Sequence, residues 1–403
     1  MSKRWKGAVI PNPPTVVGPV GGEGGSASGA WTLQTQLQYA GIDGWPKPIL
    51  LKQLWAWGFN SLGELGLSNS DSYSSPKQVG ALTTWSSVSC SKFFTVSIKT
   101  DGTLWSWGNN SYGMLGLGNT TDYFSPKQVG ALTNWLSVAC GYYHTVSIKT
   151  DGTLWSWGLN SNGQLGLNNT TSYSSPKQVG ALTNWSSVSC GYAHTVSIKT
   201  DGTLWSWGLN SNGQLGQGNT INLSSPKQVG ALTNWSSVSC GVFHTVSIKT
   251  DGTLWSWGRN SFGQLGLGNT TQYSSPKQVG ALTNWLSVSC GYYHTVSIKT
   301  DGTLWSWGNN VFGQLGLGNT THYSSPKQVG ALTNWLSVSC GYSYTVSIKT
   351  DGTLWSWGRN GSGQLGLNDL VNRSSPVQVG ALTSWTKLFK GCTTFSTLAI
   401  KSS

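Results

Sequence analysis

HTVSIKTDGTLWSWG, His144–Gly158, decides the fold. Val146 and Ile148 alternate with Ser147 and Lys149, the period of two that a strand requires. Asp151-Gly152 is the commonest dipeptide of a tight hairpin turn, because glycine accepts the positive φ such a turn needs. The chain returns as Thr153-Leu154-Trp155-Ser156-Trp157, and Gly158 ends the run. Trp155 and Trp157 are two apart and share a face. The pattern predicts one hairpin face of Trp, Val and Ile and another of Ser, Thr and Leu, the bulky face of one unit packing on the small-residue face of the next.

This unit recurs every 50 residues. The tryptophan pairs are Trp55/Trp57, Trp105/Trp107, Trp155/Trp157, Trp205/Trp207, Trp255/Trp257, Trp305/Trp307 and Trp355/Trp357, read here as framework. After each hairpin come a polar loop, a short strand beginning at a proline (Pro176 in PKQVG), and WSSVSCG (Trp185–Gly191), a strand of small residues suited to a crowded axis. Four short strands per 50 residues is the arithmetic of a propeller blade; a parallel β-helix, whose coils are shorter, is the rival. The ends support the propeller. Leu54–Gly58 has no hairpin partner before it, and Phe395–Lys401 (FSTLAIK) matches HTVSIK and then stops before any turn. Pairing these two strands completes the seventh blade and removes the exposed edges of an open stack. The fold class expected is all-β: a seven-bladed propeller of four-stranded blades over residues 50–403, preceded by a Pro/Gly/Ser-rich leader, residues 1–49.

The 403 residues carry a formal charge of +12, but it comes as about one excess cation per repeat, with a basic cluster only at Lys3, Arg4 and Lys6. A mildly basic surface is expected, not a nucleic-acid site. Seven cysteines, Cys90 to Cys392, occupy one position per repeat; the odd number and ring placement predict buried free thiols. Met1–Ile10 is basic, but Pro11, Pro13 and Pro14 break the apolar run after it, so no export signal is expected, and no apolar run is long enough to span a membrane. Asn119, Asn169, Asn269 and Asn319 match the glycosylation pattern, read as a by-product of the repeat. In the leader, Trp31–Ala40 has the spacing of a short helix.

WSSVSCGYAHTVSIKTDGTLWSWGLNSNGQLG (Trp185–Gly216) resembles the repeat of the regulator of chromosome condensation family, through Cys-Gly-x-x-His-Thr, the Asp-Gly turn, Trp-Gly and Gly-Gln-Leu-Gly. The resemblance spans about Leu50 to Lys401 and implies a seven-bladed propeller closed by strands from both ends. That family includes a nucleotide exchange factor and the plant ultraviolet-B photoreceptor, so the fold alone does not fix the function. The photoreceptor's Gly-Trp-Arg-His-Thr is absent. Its Trp position holds Lys92, Tyr142, Tyr192, Val242, Tyr292 and Tyr342, and its Arg position Phe93, Tyr143, Ala193, Phe243, Tyr293 and Ser343. The leader, with SASGAWTLQTQLQYAG, is similar to the N-termini of virion and tail-fibre-like proteins of marine cyanobacterial phages.

His144, His194, His244 and His294 are replaced by Phe94 and Tyr344 in other repeats, which points to packing plus a hydrogen bond, not to metal or catalysis. Each Asp-Gly turn offers one carboxylate, too few for calcium. With two glutamates and no nucleophile motif, no enzyme, cofactor or metal is expected. The repeats differ at strand ends and loops, where propellers bind. Tyr142, Tyr143, Tyr192, Phe243, Tyr292, Tyr293, Tyr342, Arg259, Phe262, Phe312 and Arg359 form the candidate surface, an aromatic and cationic mix suited to a protein or a surface glycan. The expected role is a binding propeller of a phage particle, contacting the host surface or another virion protein; the alternative is a cellular, cytoplasmic adaptor or regulator.

Overall fold

The structure is a computed structural model that describes residues 52–81, 84–388 and 394–402. Among them the regular structure is entirely β, in seven four-stranded antiparallel sheets. The leader, its Trp31–Ala40 segment and Cys392 lie outside the described residues.

Blade 1 runs Trp85–Cys90, Phe94–Lys99, Leu104–Gly108 and Tyr123–Gln128, from the axis outward. Blades 2 to 6 repeat it, with inner strands Trp135–Cys140, Trp185–Cys190, Trp235–Cys240, Trp285–Cys290 and Trp335–Cys340. Blade 7 joins the two ends: inner Trp385–Leu388, then Ser396–Ser402, Lys52–Gly58 and outer Tyr73–Gln78. Trp55 pairs with Ala399 and Leu54 with Ile400, so the expected closure is present; its C-terminal strand starts one residue later than the sequence suggested.

Two local expectations, the hairpin faces and the start of the outer strand, are corrected. The hairpin register sets Thr145 opposite Trp157 and Ser147 opposite Trp155, while Val146 faces Ser156 and Ile148 faces Leu154. Paired residues share a face. The tryptophans therefore lie with Thr and Ser, and Val, Ile and Leu form the other face. The blades stack Trp face on aliphatic face: Trp207 of blade 3 packs with Val146, Ile148 and Leu154 of blade 2. The hairpin turn stands at Asp151-Gly152 as expected and spans three residues, Thr150 to Gly152. Lys149 N–H donates to Thr153 O (3.0 Å) and Gly152 N–H to Lys149 O (2.9 Å), with Gly152 alone at positive φ, 76°. Asp151 Oδ1 accepts from the Thr153 amide and hydroxyl, which holds its carboxyl below the usual range. Second, the outer strand begins at Tyr173, ahead of Pro176. A proline there costs no ladder bond, because the strand is the sheet's edge.

Each blade is also bolted to the next by polar bonds. Trp157 Nε1–H donates to Met114 O at 2.8 Å and Trp207 Nε1–H to Gln164 O at 2.9 Å. The Gly-Gln-Leu-Gly loop lies flat on that indole: a Cβ on Gly166 would sit 2.8 Å from Trp207 Nε1. His144 is fully buried, its Nε2 3.1 Å from Thr195 Oγ1 of the next blade. Because Thr195 Oγ1 donates to Gln164 O, Nε2 carries the proton and donates. Burial holds this imidazole down at about 3. Cys90, Cys140, Cys190, Cys240, Cys290 and Cys340 are thiols outside any disulfide, buried beside the axis. Cys140 Sγ, for example, sits 3.3 Å from Ser89 O of the preceding blade.

Candidate functional site

The register decides which residues share an end of the wheel. Gly158 pairs with both His144 and Tyr173, so the first turn of each blade (Gly141–Tyr143) and the loop after its third strand emerge on one face. The Asp-Gly turns emerge on the other. The small inner strands, with Val88, Ser89, Cys140, Val188 and Cys240 among them, surround an axial cavity of about 340 Å³.

The first-turn face carries an aromatic ring around the axis. Centroids run Tyr142–Tyr192 at 4.7 Å, Tyr192–Phe243 at 5.5 Å, Phe243–Tyr292 at 6.5 Å, Tyr292–Tyr342 at 4.2 Å and Tyr342–Phe395 at 4.5 Å. Lys92 closes the circle, its Nζ 5.5 Å from the Phe395 ring and 5.9 Å from that of Tyr142. The backbone beneath is bonded blade to blade: Tyr142 N–H donates to Tyr192 O (3.2 Å) and Tyr342 N–H to Thr394 O (2.9 Å). A second tier sits outside it. Phe93 stacks on Tyr143 at 5.6 Å, and Phe262 meets Tyr293 at 5.1 Å. The Arg259 guanidinium lies 4.9 Å from the Tyr293 ring and donates to its hydroxyl (3.1 Å). That of Arg359 lies 5.2 Å from Phe312 and 5.1 Å from Phe395. Desolvation among these rings pushes the Tyr143 hydroxyl up to about 12 and also raises Tyr142 and Tyr292, so all three stay neutral donors.

The structure thus brings all eleven candidate surface residues to one face, all partly exposed. Phe395 and Lys92 complete the ring and were missed as candidates. The signal for Phe395 was present: FSTLAIK in register with HTVSIK puts Phe395 where blade 2 has Tyr143. His144, His194, His244 and His294 stand below this surface, each fully buried. Of the framework tryptophans, Trp57, Trp107 and Trp157 are fully buried. Trp55, Trp105 and Trp155 are partly exposed near the opposite face, where Lys149 Nζ lies 3.7 Å from the Trp155 ring. Among the described residues no helix is long and apolar enough to cross a membrane, and no cluster of His, Cys, Asp or Glu could hold a metal ion.

The RCC1-like domain model matches residues 50–296, and regulator of chromosome condensation (RCC1) repeat models match 301–348 and 351–394, and 285–314 and 335–364. The chain belongs to the RCC1-repeat family. No curated protein matches it in sequence. Human WBSCR16 is similar in structure at 22% identity, TM-score 0.77, over 87% of this chain and 99% of that one. Yeast RCC1 (Prp20), solved bound to Kap60, is similar at 18% identity, TM-score 0.78, over 88% of this chain and 89% of that one. A second structure of Prp20p from Saccharomyces cerevisiae, a study that also covers its binding to Gsp1p and histones, matches at 19% identity, TM-score 0.77, over 88% and 92%. At these identities the likeness fixes the RCC1 propeller fold.

Proposed function

We propose that this RCC1-repeat propeller is a non-enzymatic binding protein, an adaptor or regulator that recognises another protein through its first-turn face. The observation that carries this is the arc of aromatic rings closed by Lys92, with Arg259 and Arg359 over its rings. Aromatic and Arg anchors on a rigid backbone lose little entropy on binding. The blades also differ from one another at this face, whereas the Asp-Gly turns opposite are alike in blades 1 to 6. The binding of Kap60, Gsp1p and histones by yeast Prp20 is in keeping with a protein partner.

A photoreactive phenylalanine at position 292 tests it, with one at position 251 on the opposite face as control. The partner should crosslink from 292 and not from 251; equal yields would contradict the assignment. Nucleotide exchange is a special form of this reading, and accelerated nucleotide release from purified small GTPases would establish it. A second reading, a phage-particle propeller that contacts a host glycan or another virion protein, rests on the leader's resemblance. Recovery of the chain from purified virions would favour it.

A further inference from the structure

Three cations of the first-turn face stand without an acidic partner. Lys92, Arg259 and Arg359 stand in or beside the aromatic ring, and among the described residues none has a carboxylate within 4.0 Å, the one such pair being Arg373–Asp369 at the start of the outer strand of blade 6. The acids of this end, Asp71 and Asp369 on the loops before the outer strands among them, do not pair with these cations. Glu64 is fully buried and accepts from the Leu62 amide, and Asp122 accepts from Asn109 and the Asn110 amide. The three cations are held by aromatic faces and hydroxyls, not by counter-charges. Arg359 and Lys92 lie 5.1 and 5.5 Å from the one Phe395 ring, while Arg259 sits apart in blade 4, donating Nε–H to Ser261 Oγ at 2.8 Å. The Arg359 guanidinium, held only by ring contacts, keeps its planar fork for a carboxylate, and Arg259 keeps Nη2, its Nε and Nη1 already donating to hydroxyls.

We infer that the partner of this face is an acidic polypeptide segment, with carboxylates at two separated places and apolar or aromatic side chains between them. This rests on the binding role proposed above and names the chemistry of its partner. Charge complementarity selects an acidic partner. The separation of the cations around the ring suits several carboxylates on one segment better than a single compact anion, and the rings between them offer stacking area.

The test uses the full chain and a labelled peptide of alternating glutamate pairs and phenylalanines, against the same peptide with glutamine for glutamate and against a sulfated oligosaccharide. The acidic peptide should bind, more weakly as salt rises, and the glutamine peptide should not. Lys92→Gln/Arg259→Gln/Arg359→Gln should weaken binding by about tenfold or more. Lys177→Gln/Lys227→Gln/Lys277→Gln removes equal charge from the outer strands and should leave binding nearly unchanged. Thermal melting of both triple variants checks folding, and the salt dependence of the unaltered chain stands independently of either. Equal loss in the two triples, binding of the glutamine peptide, or tighter binding of the oligosaccharide through the same three cations would each overturn the inference. If the partner still crosslinks from position 292 while the face triple has no effect, the binding face stands and only its acidic partner is lost.

Discussion

Glu64 occupies a position where five other blades have Gln and blade 1 has Met114. It is fully buried, Oε2 accepts from the Leu62 amide at 2.9 Å, and Oε1 has no partner. Burial raises its pKa to about 7. A carboxyl whose folded pKa exceeds its unfolded value binds more protons when folded, so stability falls as pH rises from about 4.5 through 7. Glu64→Gln should be neutral at pH 4 and stabilising by about 3 kcal/mol at pH 8, read by denaturant titration at both pH values. The histidines act in the opposite sense. Each is held near 3, so the unfolded chain takes up protons first and stability is lost as pH falls from 6.5 towards 3. Replacing His144, His194, His244 and His294 together by Phe, the residue blade 1 uses at position 94, should flatten the fall in melting temperature across that window. The Thr195 hydroxyl keeps its bond to Gln164 O and is not orphaned.

At the scale of the element, two glycines of blade 2, Gly152 in the hairpin turn and Gly180 after the outer strand, separate two costs of adding a methyl group. Gly152 has φ 76°, and a Cβ there would stand 2.0 Å from Thr183 O. Gly180 has φ 62° and open space within 4 Å. Gly180→Ala should cost about 1–2 kcal/mol from backbone strain alone, and Gly152→Ala about 3 kcal/mol or more, compared by equilibrium unfolding. These elements were legible from local pattern: alternation gave the strands, and Asp-Gly placed the turn. What was not legible was register. A three-residue turn set by the Lys149–Thr153 bond shifts which residues face each other, so Val146 meets Ser156 and the two hairpin faces trade partners. The start of the outer strand was misplaced for a related reason. Pro176 reads as a boundary, yet an edge strand tolerates it inside.

At the scale of the molecule, the wheel divides its work by face and radius. The core lies between blades, Trp against Val, Ile and Leu, and the invariant turns hold one face. The other face collects most of what differs between blades. That the variable aromatics would gather at loop ends followed from the repeat alone; that they would form one closed ring did not, because it depends on Phe395 and Lys92 arriving from either side of the closing seam. The ring exists only if blade 7 is completed by Lys52–Gly58 beside Ser396–Ser402. Amide hydrogen exchange on the intact chain reads this directly. Amides of Leu54–Trp57 and Thr397–Ile400 should be as slow as those of Leu154–Trp157 and Val146–Ile148 in blade 2. Exchange of the seam on the timescale of open loops, with the other blades protected, would contradict a closed propeller and the recognition face built on it.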